Sequence, residues 1–576
     1  MVSSEEILKR LTMFRTEMKN EGIDVFLLLS TDPHASEYVS DHYKTTEFVS
    51  GCTSDNVVLV IEQDCAKLWT DGRYFISAAQ ELKDTGIELM KSGQPGVPKP
   101  EDYLRGTLHS GMVLAFDGTC VNAEIGQRYR DIAKSCGAKV ESSPEAIDQI
   151  WMTRPALPCS PIWVLKDEIA GKSCADKLAD VRRALEEKGC GHLILSKLDD
   201  IMWLLNLRGD DVECNPVALS YLLVGPETAD VFLQKEAVTA ETAEYLKENR
   251  IKVHEYTEIL DYLKDYHFEA PVLIDRGSSS DTMVRLLKDK GDLVNGENPT
   301  AMMKAVKNCT EIENIQKYYL LDSVAVCRFI YQIKTRDRSV RMTEMDAAAM
   351  IDSLRAEIPG FIGLSFPTIP AVGPNAAMAH YMPSAESAAE VGEEGFLLVD
   401  SGAHYLGATT DVTRTIALGE LTEEMKRDFT LVAVSNLELL YTGFAKGTSG
   451  AQLDMIARAP LYRYGMDFNH GTGHGIGYIL NVHEGPQRIG HASSAGSEIP
   501  MAPGMITSDE PGIYREGKYG IRTESIMLTV YDKKNEFGEF LKHEPLTFAP
   551  IDLDAIDTRY MERLDVEYLN DYHAKV

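Results

Sequence analysis

One arrangement occurs twice in the N-terminal part of the chain, and it narrows the folds available more than any other feature. Ile7, Leu11, Phe14 and Met18 recur at helical spacing behind Ser3 or Ser4, either of which can cap a helix. Gly22 breaks that helix, and Val25–Leu29 is a short apolar run suited to a buried strand. The same order returns with Leu178, Val181 and Leu185, then Gly189 and Gly191, then the apolar run Leu193–Leu195. The strings LTMFRTEMKNEGIDVFLLLS and LADVRRALEEKGCGHLILS align with a slip of one residue. A period this long is not that of a solenoid, so two related α/β domains in tandem are expected. The Pro-rich WMTRPALPCSPI at Trp151–Ile162 disfavours continuous helix or sheet and marks the first boundary. The second is placed near Lys304, after the turn-rich NGENPT at Asn295–Thr300. Thr310 with Glu313 is expected to form the capping box of the amphipathic helix beyond it. The expected domains are residues 1–158, 159–303 and 304–576.

Charge excludes two broad classes of partner. Lys and Arg number 58 against 89 Asp and Glu, a formal charge of −31, which repels nucleic-acid phosphates and anionic lipid. The 10 cysteines are scattered with no C-x-x-C pair, a pattern of reduced thiols rather than of a disulfide framework. The first residues form a charged amphipathic segment without the apolar core of a signal peptide. Runs such as Val25–Leu29 and Val57–Ile61 fall far short of a membrane span. The expectation is a soluble, cytoplasmic protein that binds neither nucleic acid nor membrane.

The chemistry concentrates in the third part. His380, His404, His470, His474, His483 and His491 all fall there, among acids at the ends of strand-like runs. Phe396–Val399 leads to Asp400, Ser401–Ala408 can turn the chain, and Thr409–Thr415 alternates as a returning strand past Asp411. A second unit repeats the plan. Met505–Ser508 leads to Asp509 and Glu510, Pro511–Gly520 turns, and Ile521–Val530 returns carrying Glu524. Two hairpins, each bringing two carboxylates, can surround one small volume. Four ionised carboxylates there need compensating positive charge. Arg414 and Arg522 are near in sequence, but two divalent cations would balance the set fully. His474, in the glycine-dense HGTGHGIG, adds an imidazole on a backbone able to approach closely. One imidazole with four carboxylates is a hard donor set that favours manganese, cobalt or zinc.

These strings resemble a known family. SFPTI at Ser365–Ile369, GPNAAMAHY at Gly373–Tyr381, DSGAHYLGATTDVTRT at Asp400–Thr415, HGTGHGIGYILNVHEGP at His470–Pro486, DEPGIY at Asp509–Tyr514 and GIRTES at Gly520–Ser525 are similar to the "pita-bread" metallopeptidases, specifically aminopeptidase P. LWTDGRYF at Leu68–Phe75 and LDDIMWLLNLRG at Leu198–Gly209 resemble the tandem creatinase-like domains of its long, three-domain form. The implied fold is α/β (α+β): two creatinase-like domains, then a pita-bread catalytic domain. The implied metal ligands are Asp400, Asp411, His474, Glu510 and Glu524, holding two ions, manganese first with zinc or cobalt as alternatives. Asp411 and Glu524 would bridge them.

By the same resemblance, a metal-bridging hydroxide would attack the first peptide bond of substrates with proline second. Glu510 would be the general base and His483 would support the tetrahedral intermediate. His380 would contact the bound peptide. His470 would either contact it or only fix loop geometry, whereas His404 and His491 are read as ordinary loop residues. The family also implies a homodimer. Prolidase-type dipeptidase activity is the nearest alternative, and a non-catalytic pita-bread binding protein a more distant one. SGCTSDN at Ser50–Asn56 departs from the family's Gly/Ser/Ala-rich turn, which bears on contacts rather than on chemistry.

Overall fold

The computed structural model describes residues 2–378, 381–385 and 387–576. It divides into two compact units, Met1–Lys166 with Lys172–Thr300, and Asp167–Gly171 with Ala301–Val576.

The first unit contains two six-stranded sheets of identical plan. In one, β1 (Val25–Leu29), β2 (Val58–Glu62), β3 (Ala66–Thr70), β4 (Glu88–Lys91), β5 (Val113–Ala115) and β6 (Lys139–Glu141) lie in the order 4-3-2-1-5-6. In the other, β7 (His192–Leu195), β8 (Ser220–Val224), β9 (Ala229–Leu233), β10 (Ile251–Glu255), β11 (Val272–Ile274) and β12 (Leu293–Asn295) lie in the order 10-9-8-7-11-12. Strand directions agree too. β1 and β7 each pair antiparallel on one side, with β2 and β8, and parallel on the other, with β5 and β11. The tandem repeat is therefore structural.

The apolar run in β1 has a physical reason. Val25 and Leu27 join one core layer with Leu104, Leu114 and Ile132, while Phe26 and Leu28 join another with Ile7, Leu11, Phe14 and Met18. Both faces of the strand are covered, so alternation with polar residues disappears. The helix supplying the second layer, α1 (Ser4–Asn20), is capped by Ser3, whose side chain accepts from the Glu6 N–H. Two further helices, α2 (Ala123–Ser135) and, in the second repeat, α4 (Asp281–Leu287), follow the strands β5 and β11; α3 (Cys174–Glu187) is the counterpart of α1.

The repeats meet reciprocally. The Ala123 N–H donates to Ser279 O and the Asp281 N–H to Val121 O, both at 2.8 Å; likewise Glu124 N–H reaches Arg276 O and Thr282 N–H reaches Gly118 O. One constant offset in residue number relates every partner, as it would across a two-fold axis.

In the second unit, α5 (Cys309–Thr335) opens at Asn308, which forms the capping box with Glu311. The expected box at Thr310 and Glu313 lies two residues too far on, because Asn308 also satisfies the cap and starts the helix earlier. With α6 (Glu344–Ala356), this helix covers a three-stranded sheet of β13 (Ile369–Val372), β14 (Phe396–Ser401) and β15 (Val412–Ala417). Beneath α7 (Glu423–Tyr441) and α8 (Gly450–Tyr462) runs a six-stranded sheet. Its strands are β16 (Phe444–Ala445), β17 (Gly473–Gly475), β18 (Glu484–Ile489), β19 (Ile506–Asp509), β22 (Ser525–Asn535) and β23 (Gly538–Pro545), in the order 16-23-22-19-17-18. Between β19 and β22, the strands β20 (Gly512–Arg515) and β21 (Tyr519–Arg522) form their own hairpin, and α9 (Arg563–Lys575) closes the chain.

Two loop expectations change. Ser401–Ala408 is not a simple turn, since Ala403–Tyr405 pairs with Phe361–Leu364 in a small separate sheet. His404 accordingly sits on a buried strand, its Nδ1 3.0 Å from Thr409 Oγ1, rather than in an open loop.

Candidate metal centre

Strand alternation delivers the acids. In β14, Leu397 and Val399 pack with Val326, Phe329 and Ile351 of α5 and α6, which turns Asp400 to the opposite face. In β15, Val412 and Ile416 join the same core, so Asp411 and Thr413 face away from it. Asp400 stands opposite Thr413 in this pair. The second pair of strands meets it: the Glu524 N–H donates to Thr413 O at 3.1 Å, and Thr413 Oγ1 donates to Glu524 Oε2 at 2.9 Å. Asp509 and Glu510 diverge by the same alternation. Ser508 Oγ lies 3.4 Å from Glu510 Oε1 and accepts from the His474 N–H at 3.0 Å, so residues 508 and 510 share the face toward His474. Both oxygens of Asp509 are buried without a partner among the described residues, and burial raises its pKa well above the carboxylate range. Of the two adjacent acids, Glu510 is the one that joins the site.

His474 reaches the acids from β17. Its Nε2 lies 3.6 Å from Asp411 Oδ2 and 3.5 Å from Glu510 Oε1. Its Nδ1 is 2.9 Å from Gly475 O, a bond that needs Nδ1–H and leaves the Nε2 lone pair pointing inward. The flanking glycines permit this approach, since a Cβ on Gly473 would stand 1.9 Å from Ser508 O and one on Gly475 would stand 2.1 Å from Glu484 O. The ring of His483 lies 4.3 Å from that of His474, nearly perpendicular.

Electrostatics sets the character of the cluster. Burial first, and then the charges of Asp400 and Glu510, drive the Asp411 pKa far up. Burial and Asp411 do the same to Glu524. Glu510 is pushed up to about 7 by burial, with Arg522 and His483 opposing the rise. Arg522 is the near cation: it bonds Asp400 Oδ2 at 2.5 Å and Tyr514 Oη at 2.8 Å, and Tyr514 Oη lies 2.9 Å from His470 Nε2. His470 thus belongs to a hydrogen-bonded chain that runs through Tyr514 and Arg522 to Asp400. Arg414 behaves differently from the sequence expectation. It pairs with no carboxylate among the described residues and instead donates to the carbonyls of Thr413, Glu524 and Ala549 and to Tyr572 Oη.

The donor set fits divalent cations. Donor atoms of Asp411, His474 and Glu524 lie within 4.8 Å of one another. Asp400 Oδ1 and Glu524 Oε1 are buried with no partner among the described residues, the condition expected of oxygens awaiting a cation. His380 lies outside the described residues. His491 lies apart, its Nδ1 3.7 Å from Asp454 Oδ2.

Several supporting residues escaped the sequence reading. Arg458 on α8 bonds Asp454 and the carbonyls of Phe468 and His470, each at 2.8 Å, while Thr472 Oγ1 donates to Asp454 at 2.5 Å. This brace holds the string that carries His470 and His474. Lys304 and Lys307 bury their ammonium groups against Glu484, next to His483. Only Ser508 had a local signal, its two-residue spacing from Glu510.

A buried imidazole and four carboxylates at or beside the ends of paired strands, two of them with unpartnered buried oxygens, make a hard donor set of the metallohydrolase type. Residues 10–152 and 153–311 each match a creatinase/prolidase N-terminal domain, residues 313–530 match metallopeptidase family M24, and residues 539–576 match the C-terminal region of that peptidase family. A probable Xaa-Pro aminopeptidase P of Sordaria macrospora is 35% identical across 98% of this chain and 95% of its own. The corresponding protein of Pyricularia oryzae is likewise 35% identical over the same shares. An X-prolyl aminopeptidase of Caenorhabditis elegans, described as a cytosolic enzyme with a di-nuclear active site, matches with a TM-score of 0.93 at 32% identity, over 100% of this chain and 95% of that one. The chain belongs to metallopeptidase family M24 and, within it, to the aminopeptidase P group. Its architecture is that of two creatinase-like domains followed by a pita-bread domain.

Proposed function

We propose that the protein is a metal-dependent aminopeptidase that releases the first residue from peptides with proline in second position. The observation that carries this reading is the convergence of Asp400, Asp411, His474, Glu510 and Glu524, with unpartnered buried oxygens on Asp400 and Glu524. These five residues would hold two divalent ions, with manganese first and zinc or cobalt as alternatives. When bound, the pair supplies an acidified water and a polarised carbonyl near neutral pH.

The chain's own groups do the rest. Glu510, with a pKa pushed up to about 7, takes the proton from the attacking water at its side-chain oxygen. His483, beside His474, donates a hydrogen bond where negative charge develops on the carbonyl oxygen. Arg522 holds Asp400 in place, and the substrate α-amine binds on the Asp400 side, which limits cleavage to chain ends. His380 contacts the peptide, and His470 steadies Tyr514 against Arg522. Proline in second position leaves the scissile amide without an N–H, so recognition rests on shape rather than on that donor. Domains 1–158, 159–303 and 304–576, a homodimer and a cytoplasmic location complete the proposal; the last is supported by the cytosolic description of the C. elegans enzyme.

The test is hydrolysis by metal-stripped protein reloaded with manganese, zinc or cobalt. The panel is a tripeptide with proline second, its alanine counterpart, an Xaa-Pro dipeptide and a Met-Ala tripeptide. Metal-dependent release from the proline tripeptide, with little from the others, is expected. Cleavage of the dipeptide alone would make the protein a prolidase, and silence on all four with metal bound would make it a binding protein.

A further inference from the structure

We infer that Arg488 anchors the free carboxylate of a short peptide bound at the metal centre, so that this site selects peptides of about three residues ending in an uncapped carboxyl group. The inference rests on the aminopeptidase reading above.

Register supplies the placement. Arg488 of β18 stands directly opposite His474 of β17. Side chains directly opposite in an antiparallel pair share a face, with Cβ atoms about 4.5–5.5 Å apart. His474 turns toward the acids, and Arg488, on the same face, is exposed. Its guanidinium lies against Gly471, where an added Cβ would stand 3.1 Å from Nε and 3.4 Å from Nη2. Glycine at that position leaves the guanidinium its room.

Commitment of the neighbouring arginines singles this one out. Arg522 is held by Asp400 and Tyr514, Arg414 by main-chain carbonyls and Tyr572, and Arg458 by Asp454 and Asp467. Among the described residues, the Arg488 side chain has no hydrogen bond or ion pair. An arginine fork matches a carboxylate in shape and charge. With the α-amine on the Asp400 side, the peptide runs on past His474. An extended chain advances about 3.3–3.6 Å per residue, so a third residue ends roughly 7 Å beyond the scissile bond, within the span of an arginine side chain. A long peptide has no terminal carboxylate there.

Three peptides test this: a tripeptide with proline second and a free carboxyl terminus, its C-terminal amide, and an amide with glutamate third. For the wild type, KM for the free acid is expected to be about three- to fivefold below that for the plain amide, the range of a partly exposed ion pair. High salt should narrow the difference. In Arg488→Ala the acid-to-amide ratio should collapse toward one, and Arg488→Lys should restore part of it. An unchanged ratio in Arg488→Ala, or no ratio in the wild type, overturns the inference alone. A preference confined to the glutamate amide assigns the anion to a side chain and also overturns it. Failure of the wild type to cleave any of the three removes the aminopeptidase reading and this inference together.

Discussion

At the scale of single residues, three acids of the proposed metal centre, Asp411, Glu510 and Glu524, are made unwilling to ionise by the folded protein. Glu510 has its pKa pushed up to about 7 by burial, and burial raises those of Asp411 and Glu524 well above the ordinary carboxylate range too. In metal-free protein the native state therefore holds a proton on Glu510 that the unfolded chain has already released above the ordinary glutamate pKa, near 4.3. Native protein binds more protons than unfolded protein between about pH 4.5 and 7, so this contribution to stability falls as pH rises through that window. Buried His543, depressed to about 3, contributes with the opposite sign and weakens the fold as pH drops below the ordinary histidine value. Comparison with Glu510→Gln separates the two. In metal-stripped samples, the melting temperature of wild type minus that of the variant should decline from pH 5 to pH 7.5, and added manganese should reverse the decline. A flat or rising difference would remove Glu510 from the cluster. Much of this set was legible beforehand, because the acids stand at strand ends and the imidazole stands between glycines. Asp509 was not separable from Glu510 by type or position. The two-residue spacing from Ser508 to Glu510 stands in the sequence, but which of the two acids shares the face toward His474 is settled only by the strand's register.

At the scale of elements, the positions of Asp411 and Glu524 depend on how firmly β15 is tied to the start of β22. Arg414 makes that tie. It donates to Thr413 O on one strand and to Glu524 O beside the other, then reaches Tyr572 Oη of α9 at 2.6 Å. Tyr572 Oη lies 2.8 Å from Ala549 O and 3.0 Å from Thr547 O. A C-terminal helix thus completes the support of residues that lie far upstream in sequence. Tyr572→Phe removes one acceptor from a buried guanidinium at almost constant volume, a change of about 1 kcal/mol. Manganese titrated calorimetrically into stripped protein should bind about fivefold more weakly to the variant. Equal affinity would reduce Tyr572 to packing the tail. No local pattern announces such a role: Arg414 was legible as a cation near acids, but its partners at Ala549 and Tyr572 come from distant segments. Helix existence was legible while the cap was not, since Asn308 and Thr310 are both competent and only tertiary context selects between them.

At the scale of the molecule, chemistry and repeat architecture occupy different units. All five candidate ligands lie within Ala301–Val576, whereas both creatinase-like sheets lie in the other unit. Open α/β sheets bind ligands beyond the carboxyl ends of strands where the strand order reverses, here between β1 and β5 and between β7 and β11. Those ends are engaged with one another. The loops after β5 and β11 exchange reciprocal main-chain bonds, and His34, just beyond β1, places Nδ1 2.8 Å from Ser196 O at the end of β7. Gly126 of α2 shows how close the approach is, because an added Cβ would stand 2.8 Å from both Cβ and Cγ of Asp281. Asp281 cannot retreat easily, since it is buried and paired with Arg130. Gly126→Ala therefore sets two effects against each other. Alanine gains about 0.5–1 kcal/mol of helix preference, but overpacking costs about 1–3 kcal/mol. The clash should win. Scanning calorimetry should show the unfolding of the repeat unit lowered by a few degrees, with manganese affinity unchanged, since all five candidate ligands lie in the other unit. A higher melting temperature would mean that the reciprocal seam has slack, and a parallel loss of manganese affinity would mean that the two units do not hold their tasks separately.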